Sequence, residues 1–537
     1  PTPHSGGGAA GSDPKVLTAT RGSMYEIILN RPKAINALDS EMVAGIRGAV
    51  DQAGRDKRRS LILLRPGEDA RGLCSGGDVL KVVNFANGKS DEDKAAALAF
   101  FKEEFSLDWV LAKIGEEVSS GESRSARPIV AVMDGITMGG GVGLSVHVPF
   151  RIATERTMFA MPETGIGYFP DVGVTRVLSR LDGRVGSYLG TTGDRISGQE
   201  AYALGLATHF LPSSSLQRLY DALGSLSPEA TAEQVASVLD DFSVDPFDAA
   251  TASSGKSPLD NSALVGNTRI MLDYVFSHPS MEDVFKSLED LSKASSVEEV
   301  NSSATGRALA KQLKASSLDE SLAGDEVRSW AARTLATLKS KSPRSLKVTH
   351  QLISYEAKHY SVDDSFRNDM RLATVFCDLS VGRDFYEGVH HILTKDPATN
   401  KRREGRAPWK PSNLEGVDND LARDLFFGSL EDAASKGGLK LTPPELDVIP
   451  TRKAQDRSAR QSEEEAKRGL GPLGWQAHFN VFHPLPSEAE LEALLHGSHP
   501  VSGKVVREVA DMIRATRRRR GLSCFGVEWK VREWRRR

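Results

Sequence analysis

The sequence predicts an α/β fold, because short apolar stretches with strand character alternate with stretches of helical periodicity. Strands are predicted at Tyr25–Leu29, Leu61–Leu64 and Ile129–Met133, and a helix is predicted at Glu41–Gln52. Strands that alternate with helices are typical of a layered architecture in which helices cover a sheet. Residues 180–445 are mostly helical by pattern, which predicts a helical region after the sheet.

The chain length predicts more than one structural unit. With 537 residues, the chain exceeds the size at which a single core stops growing. We expect a flexible Gly/Ser/Pro-rich segment at 1–17, a main domain at 18–440, and a charged linker with a basic extension at 441–537. Two polar loops are expected at Lys113–Ala126 and Asp396–Pro411. No run of 18 or more apolar residues occurs, so no membrane span is predicted.

Within the extension, Thr451–Arg468 is highly charged and predicts a solvated helix or linker, and Gly474–Pro484 is apolar and aromatic. Ser487–Glu490 carries a capping signal that predicts the start of a helix, and a second helix is predicted at Lys504–Arg520.

Cysteine usage and charge narrow the possible classes of protein. The three cysteines, Cys74, Cys377 and Cys524, form no Cys-x-x-Cys pair, so neither a disulfide framework nor a zinc site is predicted. Residues 504–537 contain 12 Lys+Arg and 4 Asp+Glu, a local charge of 12 − 4 = +8. The net charge is −3, so the rest of the chain carries −3 − 8 = −11. A basic end on an acidic body favours contact with an anionic partner.

The densest chemical signal is the glycine run Gly139–Gly143, which follows the predicted strand Ile129–Met133. A strand, a glycine turn and a following helix direct backbone N–H groups towards an anion, and glycine permits close approach. The run could cradle a phosphate, although no GxxxxGK[ST] motif is present. An isolated run of this kind is more often a plain structural turn.

A second glycine turn, Gly76–Gly77, follows the predicted strand Leu61–Leu64. This turn alone also fits a structural role. Two backbone N–H donors from separate turns are, however, what an oxyanion hole requires. Together the turns predict a site that polarises a carbonyl group.

Two carboxylates follow the glycine run, each directly after a proline and close to apolar residues. Glu163 ends FAMPE, and Asp171 ends GYFPD. Each acid alone is more often a helix cap or a surface charge. Burial beside aromatic residues would raise the pKa of such acids and suit them to general acid–base chemistry.

These segments together resemble the 3-hydroxyisobutyryl-CoA hydrolases of the crotonase superfamily. The resemblance covers roughly residues 18–430 and depends on several motifs, in order: LNRPKAINAL, LCSGGD, ITMGGGVGLSVH, FAMPETGIGYFPDVG, RDFYEGV and WKP. It implies a crotonase (ClpP/crotonase-like) fold of stacked, twisted sheets surrounded by helices, with a helical C-terminal region and the added basic extension.

The resemblance also implies the roles of individual residues. Gly77 and Gly140 match the two oxyanion-hole donors, and Glu163 matches the catalytic glutamate. Asp171 matches an acid that serves substrate binding and leaving-group chemistry, and Glu104 matches a substrate-binding glutamate. The substrate-binding set is therefore Glu104, Gly140, Glu163 and Asp171.

One position separates this chain from the enoyl-CoA hydratases, which it also resembles. Those enzymes carry a second catalytic glutamate where Gly143 stands here, so the resemblance implies thioester hydrolysis and disfavours hydration. Glu163 would either attack the thioester, forming a mixed anhydride, or activate water. No metal or redox cofactor is implied, because CoA arrives as part of the substrate.

The basic extension has no counterpart in the simple hydrolases. The chain also resembles a hydrolase-like protein of fungal mitochondrial small ribosomal subunits. That resemblance implies a mitochondrial (matrix) location and contacts of the extension with ribosomal RNA and ribosomal proteins. On composition alone, a solvated, partly disordered appendage is an equally good interpretation. The two functional hypotheses are compatible, because a retained hydrolase site can sit on a recruited body.

Overall fold

Two β-sheets form the framework of the protein in a computed structural model. The structure describes residues 13–120, 126–247, 259, 262–293, 325–358, 361–449, 485–496, 505–506, 508–520 and 527–536. The strands are β1 (Val16–Arg21), β2 (Met24–Leu29), β3 (Leu61–Pro66), β4 (Ile129–Met133), β5 (Ile136–Met138), β6 (Phe150–Ala153), β7 (Met158–Ala160), β8 (Ile196–Ser197) and β9 (His209–Phe210). The larger sheet has the order β1-β2-β3-β4-β6-β9, and the smaller one has the order β5-β7-β8. In the larger sheet only the β1–β2 pair is antiparallel.

Helices cover the sheets and build most of the second half of the chain. They are α1 (Ser40–Arg55), α2 (Val79–Ala86), α3 (Asp91–Ser120), α4 (Gly140–Val146), α5 (Val174–Leu178), α6 (Val185–Thr192), α7 (Gly198–Ala203), α8 (Leu216–Gly224), α9 (Ala232–Phe242), α10 (Gly266–Val275), α11 (Met281–Lys293), α12 (Asp325–Ser340), α13 (Pro343–Glu356), α14 (Val362–Cys377), α15 (Asp384–Leu393), α16 (Asn419–Phe426), α17 (Leu430–Ser435), α18 (Glu488–His496), α19 (Val509–Arg520) and α20 (Val527–Arg536). Short 3₁₀ turns lie at Pro32–Ala34, Glu163–Ile166 and Ser213–Ser215. None of the helices in the described ranges is both long and apolar enough to cross a membrane.

The central strands are apolar at successive positions because both faces of the larger sheet are covered. In β3, Leu61 and Leu63 face one hydrophobic core, whereas Ile62 and Leu64 face the other. The first core includes side chains from α8 and α9, and the second includes side chains from α1 and α3. Alternate side chains of a strand point to opposite faces, so a strand buried on both sides needs apolar residues throughout. The predicted α/β architecture is therefore confirmed.

The prediction of a polar loop at Lys113–Ala126 is wrong for residues 113–120, which form the end of a helix. Helix α3 continues to Ser120, and residues 121–125 lie outside the described ranges. Val118 is buried, and a Cβ added to Gly115 would lie 2.2 Å from the carbonyl oxygen of His147. Gly115 therefore permits close packing of α3 against the backbone at His147. The polar composition of the segment gives no indication of this contact.

The other secondary-structure predictions differ from the structure mainly in where the elements begin and end. Strand β1 begins at Val16, inside the segment predicted to be flexible, and the Nζ of Lys15 contacts Asp39 Oδ2 at 2.7 Å. The helical region predicted for 180–445 also contains the short strands β8 and β9. Each has two residues, too few for an alternating pattern to show.

The described parts of the C-terminal extension pack against the main body. The Asp182 carboxylate accepts from the Glu488 backbone N–H at 3.1 Å and from Lys530 Nζ at 2.7 Å. The Trp529 ring stacks on Phe247, with centroids 4.2 Å apart and an interplanar angle of 12°. These contacts attach α18 and α20 to the same core as the sheets.

The helices predicted in the C-terminal extension are partly confirmed. Ser487 Oγ accepts from the Glu490 backbone N–H at 3.1 Å, which confirms the predicted capping of α18. The helix predicted at 504–520 begins later, at Val509, and α20 was not predicted. The predicted charged segment 451–468 and the apolar, aromatic segment 474–484 lie outside the described residues.

Candidate active site

The two glycine turns predicted to cooperate lie side by side. Cys74 pairs with Thr137 in a parallel bridge, and a Cβ added to Gly139 would lie 3.2 Å from the Cα of Gly76. Gly76 and Gly139 have φ angles of 113° and 50°, a region that side-chain-bearing residues rarely adopt. The positive φ angles explain why glycine is needed at the point where the two turns meet.

The turns present two unused backbone donors. Within the described part of the chain, neither the Gly77 N–H nor the Gly140 N–H donates to a protein acceptor. Gly140 is the first residue of α4, where backbone N–H groups have no partner inside the helix. Two donors from separate turns can together bind one carbonyl oxygen and stabilise negative charge on it.

Glu104 lies next to both donors, although its helix is separate from the turns. A Cβ added to Gly140 would lie 2.3 Å from Glu104 Oε1, and one added to Gly77 would lie 3.9 Å from Glu104 Oε2. Glu104 is buried, and its Oε1 has no hydrogen-bond partner among the described residues. A buried carboxyl oxygen without a protein partner is available to a ligand.

Glu163 approaches the same place from the smaller sheet. Strand β7 leads into the 3₁₀ turn that begins at Glu163, and a Cβ added to Gly139 would lie 3.1 Å from Glu163 Oε1. The side chain is 6% exposed, and its Oε2 has no partner among the described residues. Burial, followed by the nearby Asp171, raises the pKa of Glu163 well above its usual value.

Asp171 begins a strained loop. The next residue, Val172, has a φ of 53°, which is costly for a β-branched side chain. The Val172 carbonyl bonds to His147 Nε2 at 2.7 Å, and the Gly173 N–H donates to Asp369 Oδ2 at 2.6 Å. These bonds hold the loop in place, and burial raises the pKa of Asp171 to about 7.

The site also contains groups that the sequence interpretation missed. Asp108 and Asp369 are fully buried, and burial is the main cause of their strongly raised pKa values. Asp108 follows Glu104 by four residues, a spacing that places both on one face of a helix and could have indicated it. No comparable local signal marks Asp369, which reaches the site from a distant helix.

The thiol near the turns is unsuited to covalent catalysis. Cys74 is fully buried, and burial raises its pKa to about 12, so it stays a thiol near neutral pH. The acids therefore dominate the chemistry of this region. Among the described residues, including those of this site, no group of three or more His, Cys, Asp or Glu side chains is arranged to hold a metal ion.

The geometry of the two turns and the acids agrees with the comparison to known families. The family model described as enoyl-CoA hydratase/isomerase matches residues 24–426. The chain belongs to this family. The match spans both sheets except strand β1, and it includes the site and most of the helical region. It ends before the C-terminal extension.

Proteins similar to this chain include some that are named as enzymes and one that is named as a ribosomal protein. Small ribosomal subunit protein mS47 of Neurospora crassa is 34% identical over 78% of this chain and 72% of its own length. The mitochondrial 3-hydroxyisobutyryl-CoA hydrolase of Danio rerio is 32% identical over 79% of this chain and 91% of its own. Probable 3-hydroxyisobutyryl-CoA hydrolase 3 of Arabidopsis thaliana is 31% identical over 80% of this chain and 96% of its own length.

Solved structures confirm the crotonase fold of this family member. A carnitinyl-CoA dehydratase from Mycobacterium thermoresistibile has a TM-score of 0.58 and 26% identity, covering 81% of this chain and 98% of its own. An enoyl-CoA hydratase from Rhodobacter sphaeroides has a TM-score of 0.55 and 24% identity, and the match covers 78% of this chain and 98% of that one. The second comparison supports the fold alone.

Gly143, the position predicted to separate this chain from the hydratases, is closely surrounded by other residues. A Cβ added to Gly143 would lie 2.5 Å from Asp108 Oδ2 and 2.8 Å from the Cβ of Val172. A glutamate there would have to displace both neighbours. The structure thus brings together all five predicted residues, Gly77, Glu104, Gly140, Glu163 and Asp171, and their catalytic and binding roles remain predictions.

Proposed function

We propose that this protein hydrolyses the thioester of 3-hydroxyisobutyryl-CoA to 3-hydroxyisobutyrate and CoA. The observation that carries the proposal is the pair of unused N–H donors of Gly77 and Gly140, with the buried carboxyl of Glu163 beside them. An oxyanion hole next to a buried acid suits acyl transfer. The hydrolase relatives supply the substrate class.

In the proposed reaction, the thioester oxygen accepts hydrogen bonds from the Gly77 and Gly140 N–H groups. Ionised Glu163 then attacks the carbonyl carbon, forming a mixed anhydride, or removes a proton from a water molecule that attacks it. In either route the carbon–sulfur bond breaks and the electron pair leaves with the CoA sulfur. In the anhydride route, water subsequently hydrolyses the Glu163 acyl group and restores the carboxylate.

Asp171 is suited to the departure of the thiolate. With a pKa of about 7, a substantial fraction of Asp171 carries a proton at neutral pH. Transfer of this proton to the CoA sulfur would avoid releasing a free thiolate into a buried site. Glu104 would hold the hydroxyl group of the acyl chain. Side chains and backbone N–H groups supply each of these steps, so we propose that no separate cofactor takes part.

The direct test is hydrolysis of 3-hydroxyisobutyryl-CoA by the purified chain, with 3-hydroxypropionyl-CoA as the comparison substrate. We expect CoA release with the parent protein and a loss of turnover in Glu163→Ala, which should retain the fold. Equal rates in the parent and Glu163→Ala would contradict the proposed site. Absence of turnover with both substrates would contradict the proposed activity.

A second function is favoured by the Neurospora crassa relative and by the basic extension. We propose that the chain is also a component of the mitochondrial small ribosomal subunit, with its extension meeting ribosomal RNA and proteins in the matrix. The relative named as a small ribosomal subunit protein is 34% identical. Residues 504–537, at the end of the extension, carry a local charge of +8 from 12 Lys+Arg and 4 Asp+Glu. Such a segment can neutralise RNA phosphates.

The second function is tested by sedimenting a mitochondrial lysate at moderate salt. We expect comigration with the small subunit, and migration only as free protein would contradict the proposal. Deletion of the whole extension would expose the core that α20 covers, so replacement of Arg517–Arg520 by glutamine is the better variant. It should reduce comigration and leave hydrolysis intact. Replacement of four exposed cations of the body by glutamine is the charge-matched control; they are Lys33, Arg55, Lys57 and Arg58.

A further inference from the structure

Asp108 is a buried acid that the proposed mechanism does not use. It lies on α3, one helical turn after Glu104, so the two side chains point from the same face of the helix. Its side chain is 0% exposed, and neither carboxyl oxygen has a hydrogen-bond partner among the described residues. A carboxyl group in such surroundings is far more stable as the neutral acid than as the anion.

The position of Asp108 connects it with the loop that carries Asp171. A Cβ added to Gly143 would lie 2.5 Å from Asp108 Oδ2 and 2.8 Å from Val172 Cβ. Asp108 and the residue that directly follows Asp171 therefore both lie against Gly143 of α4. On the other side of this loop, the Gly173 N–H donates to Asp369 Oδ2 at 2.6 Å.

The titratable groups that face Asp108 are nearly all acids. They are Glu104 on its own helix, Asp171 on the loop and Asp369 on α14, together with the neutral thiol of Cys74. No cation in the described ranges faces Asp108 to balance a negative charge there. Carboxyl groups crowded in this way cannot all be ionised at once, because full ionisation would place several like charges in a medium of low dielectric constant.

We propose that Asp108 is a further substrate-binding residue of this site, a neutral carboxyl near Glu104 and Asp171 whose unused O–H group donates a hydrogen bond to the substrate hydroxyl group. The proposal rests on the proposed hydrolase function. A neutral acid can donate a hydrogen bond to the hydroxyl group while an ionised neighbour accepts one from it. The hydroxyl group of the acyl chain needs both kinds of partner.

The kinetic test compares two thioesters that differ in this hydroxyl group, 3-hydroxyisobutyryl-CoA and isobutyryl-CoA. We expect Asp108→Ala to raise KM for the hydroxylated substrate roughly tenfold or more, because a buried partner is lost. KM for isobutyryl-CoA should change little. Asp108→Asn can still donate and should restore part of the binding, but the acid limb of its pH profile should move because it cannot titrate.

Glu103→Ala is the matched control, since Glu103 is an exposed acid on the same helix. Equal losses with both substrates in Asp108→Ala would show a merely structural role and overturn the proposal. An unchanged KM for the hydroxylated substrate would overturn it as well. Thermal unfolding of each variant shows whether a change in KM accompanies a change in stability.

A spectroscopic measurement separates failure of this inference from failure of the hydrolase function. If the parent protein hydrolyses neither thioester, the proposed function fails, and ¹³C NMR of labelled aspartate carboxyls still reports on Asp108. Its signal, assigned by its loss in Asp108→Asn, should be that of a protonated carboxyl near neutral pH and should respond to Asp171→Asn. An ionised Asp108 carboxyl that ignores Asp171→Asn would overturn the inference.

Discussion

Replacing Gly140 by alanine would test the oxyanion hole at its tightest point. The added Cβ would lie 2.3 Å from Glu104 Oε1 and 3.0 Å from Leu38 Cδ1. Non-bonded heavy atoms prefer a separation of about 3.5 Å. Either the Glu104 carboxyl or the Gly140 N–H must therefore move by about 1 Å. Leu38 is fully buried and has little freedom to give way.

The displacement sets the size of the expected effect. A shift of about 1 Å in a catalytic group costs roughly 10²-fold in rate, and loss of one oxyanion donor costs about 10²–10³-fold. We therefore expect kcat for 3-hydroxyisobutyryl-CoA to fall by about 10²–10³-fold in Gly140→Ala. KM should change less, because negative charge develops on the thioester oxygen only as the transition state forms.

The assay is release of the CoA thiol, measured at several substrate concentrations so that kcat and KM are separated. Gly48→Ala is the control, because a Cβ on Gly48, in α1, would meet nothing within 4 Å. It should keep full activity and gain about 0.5–1 kcal/mol of stability, since alanine favours the helix. If folded Gly140→Ala hydrolyses the thioester at a rate comparable with that of the parent, the assignment of this donor is wrong.

Three further changes test other parts of the structure. Glu163→Gln should lower kcat by about 10²–10⁴-fold with little loss of thermal stability, because the amide keeps the shape without the buried charge; retained turnover would refute its role. The pKa of Asp171 rises from 3.8 to about 7 on folding, so its contribution to stability is largest below about pH 4 and falls by about 4 kcal/mol as the pH rises to about 7. Urea denaturation at pH values across this window should show a flatter decline in Asp171→Asn than in the parent, and parallel declines would contradict the reasoning. Asp182→Asn should cost about 3–5 kcal/mol because it leaves the buried Lys530 ammonium without its 2.7 Å partner, whereas Asp420→Asn, in an exposed ion pair, should cost about 0–1 kcal/mol in the same unfolding assay.

The local sequence is enough to predict many of the strands and helices. The strand predicted at Ile129–Met133 has its observed bounds, and the helix predicted at Glu41–Gln52 begins one residue earlier and ends three residues later in the structure. Such elements can be predicted from sequence because the pattern of apolar side chains within one segment indicates which of its residues are buried. The capping of α18 by Ser487 is readable for the same reason, since the residues concerned are neighbours in the chain.

The motifs also indicated the residues of the site, through resemblance more than through their own pattern. Each glycine turn and each acid, taken alone, fits a plain structural role at least as well as a chemical one. The residues become a candidate site when the motifs occur together and in order. Their spacing along the chain does not show that Gly76 approaches Gly139 or that Glu104 reaches Gly140.

By itself, the sequence determined the fold class, the family resemblance and the five residues expected to act. The tertiary structure alone decided that α3 continues through its polar end, that Asp108 fills the space beside Gly143, and that the extension packs on the body at Asp182. These features depend on contacts between distant segments, whose burial and electrostatic environment arise only when the chain has folded. The polarity of a segment describes its own residues, whereas the partner that covers it is set by packing.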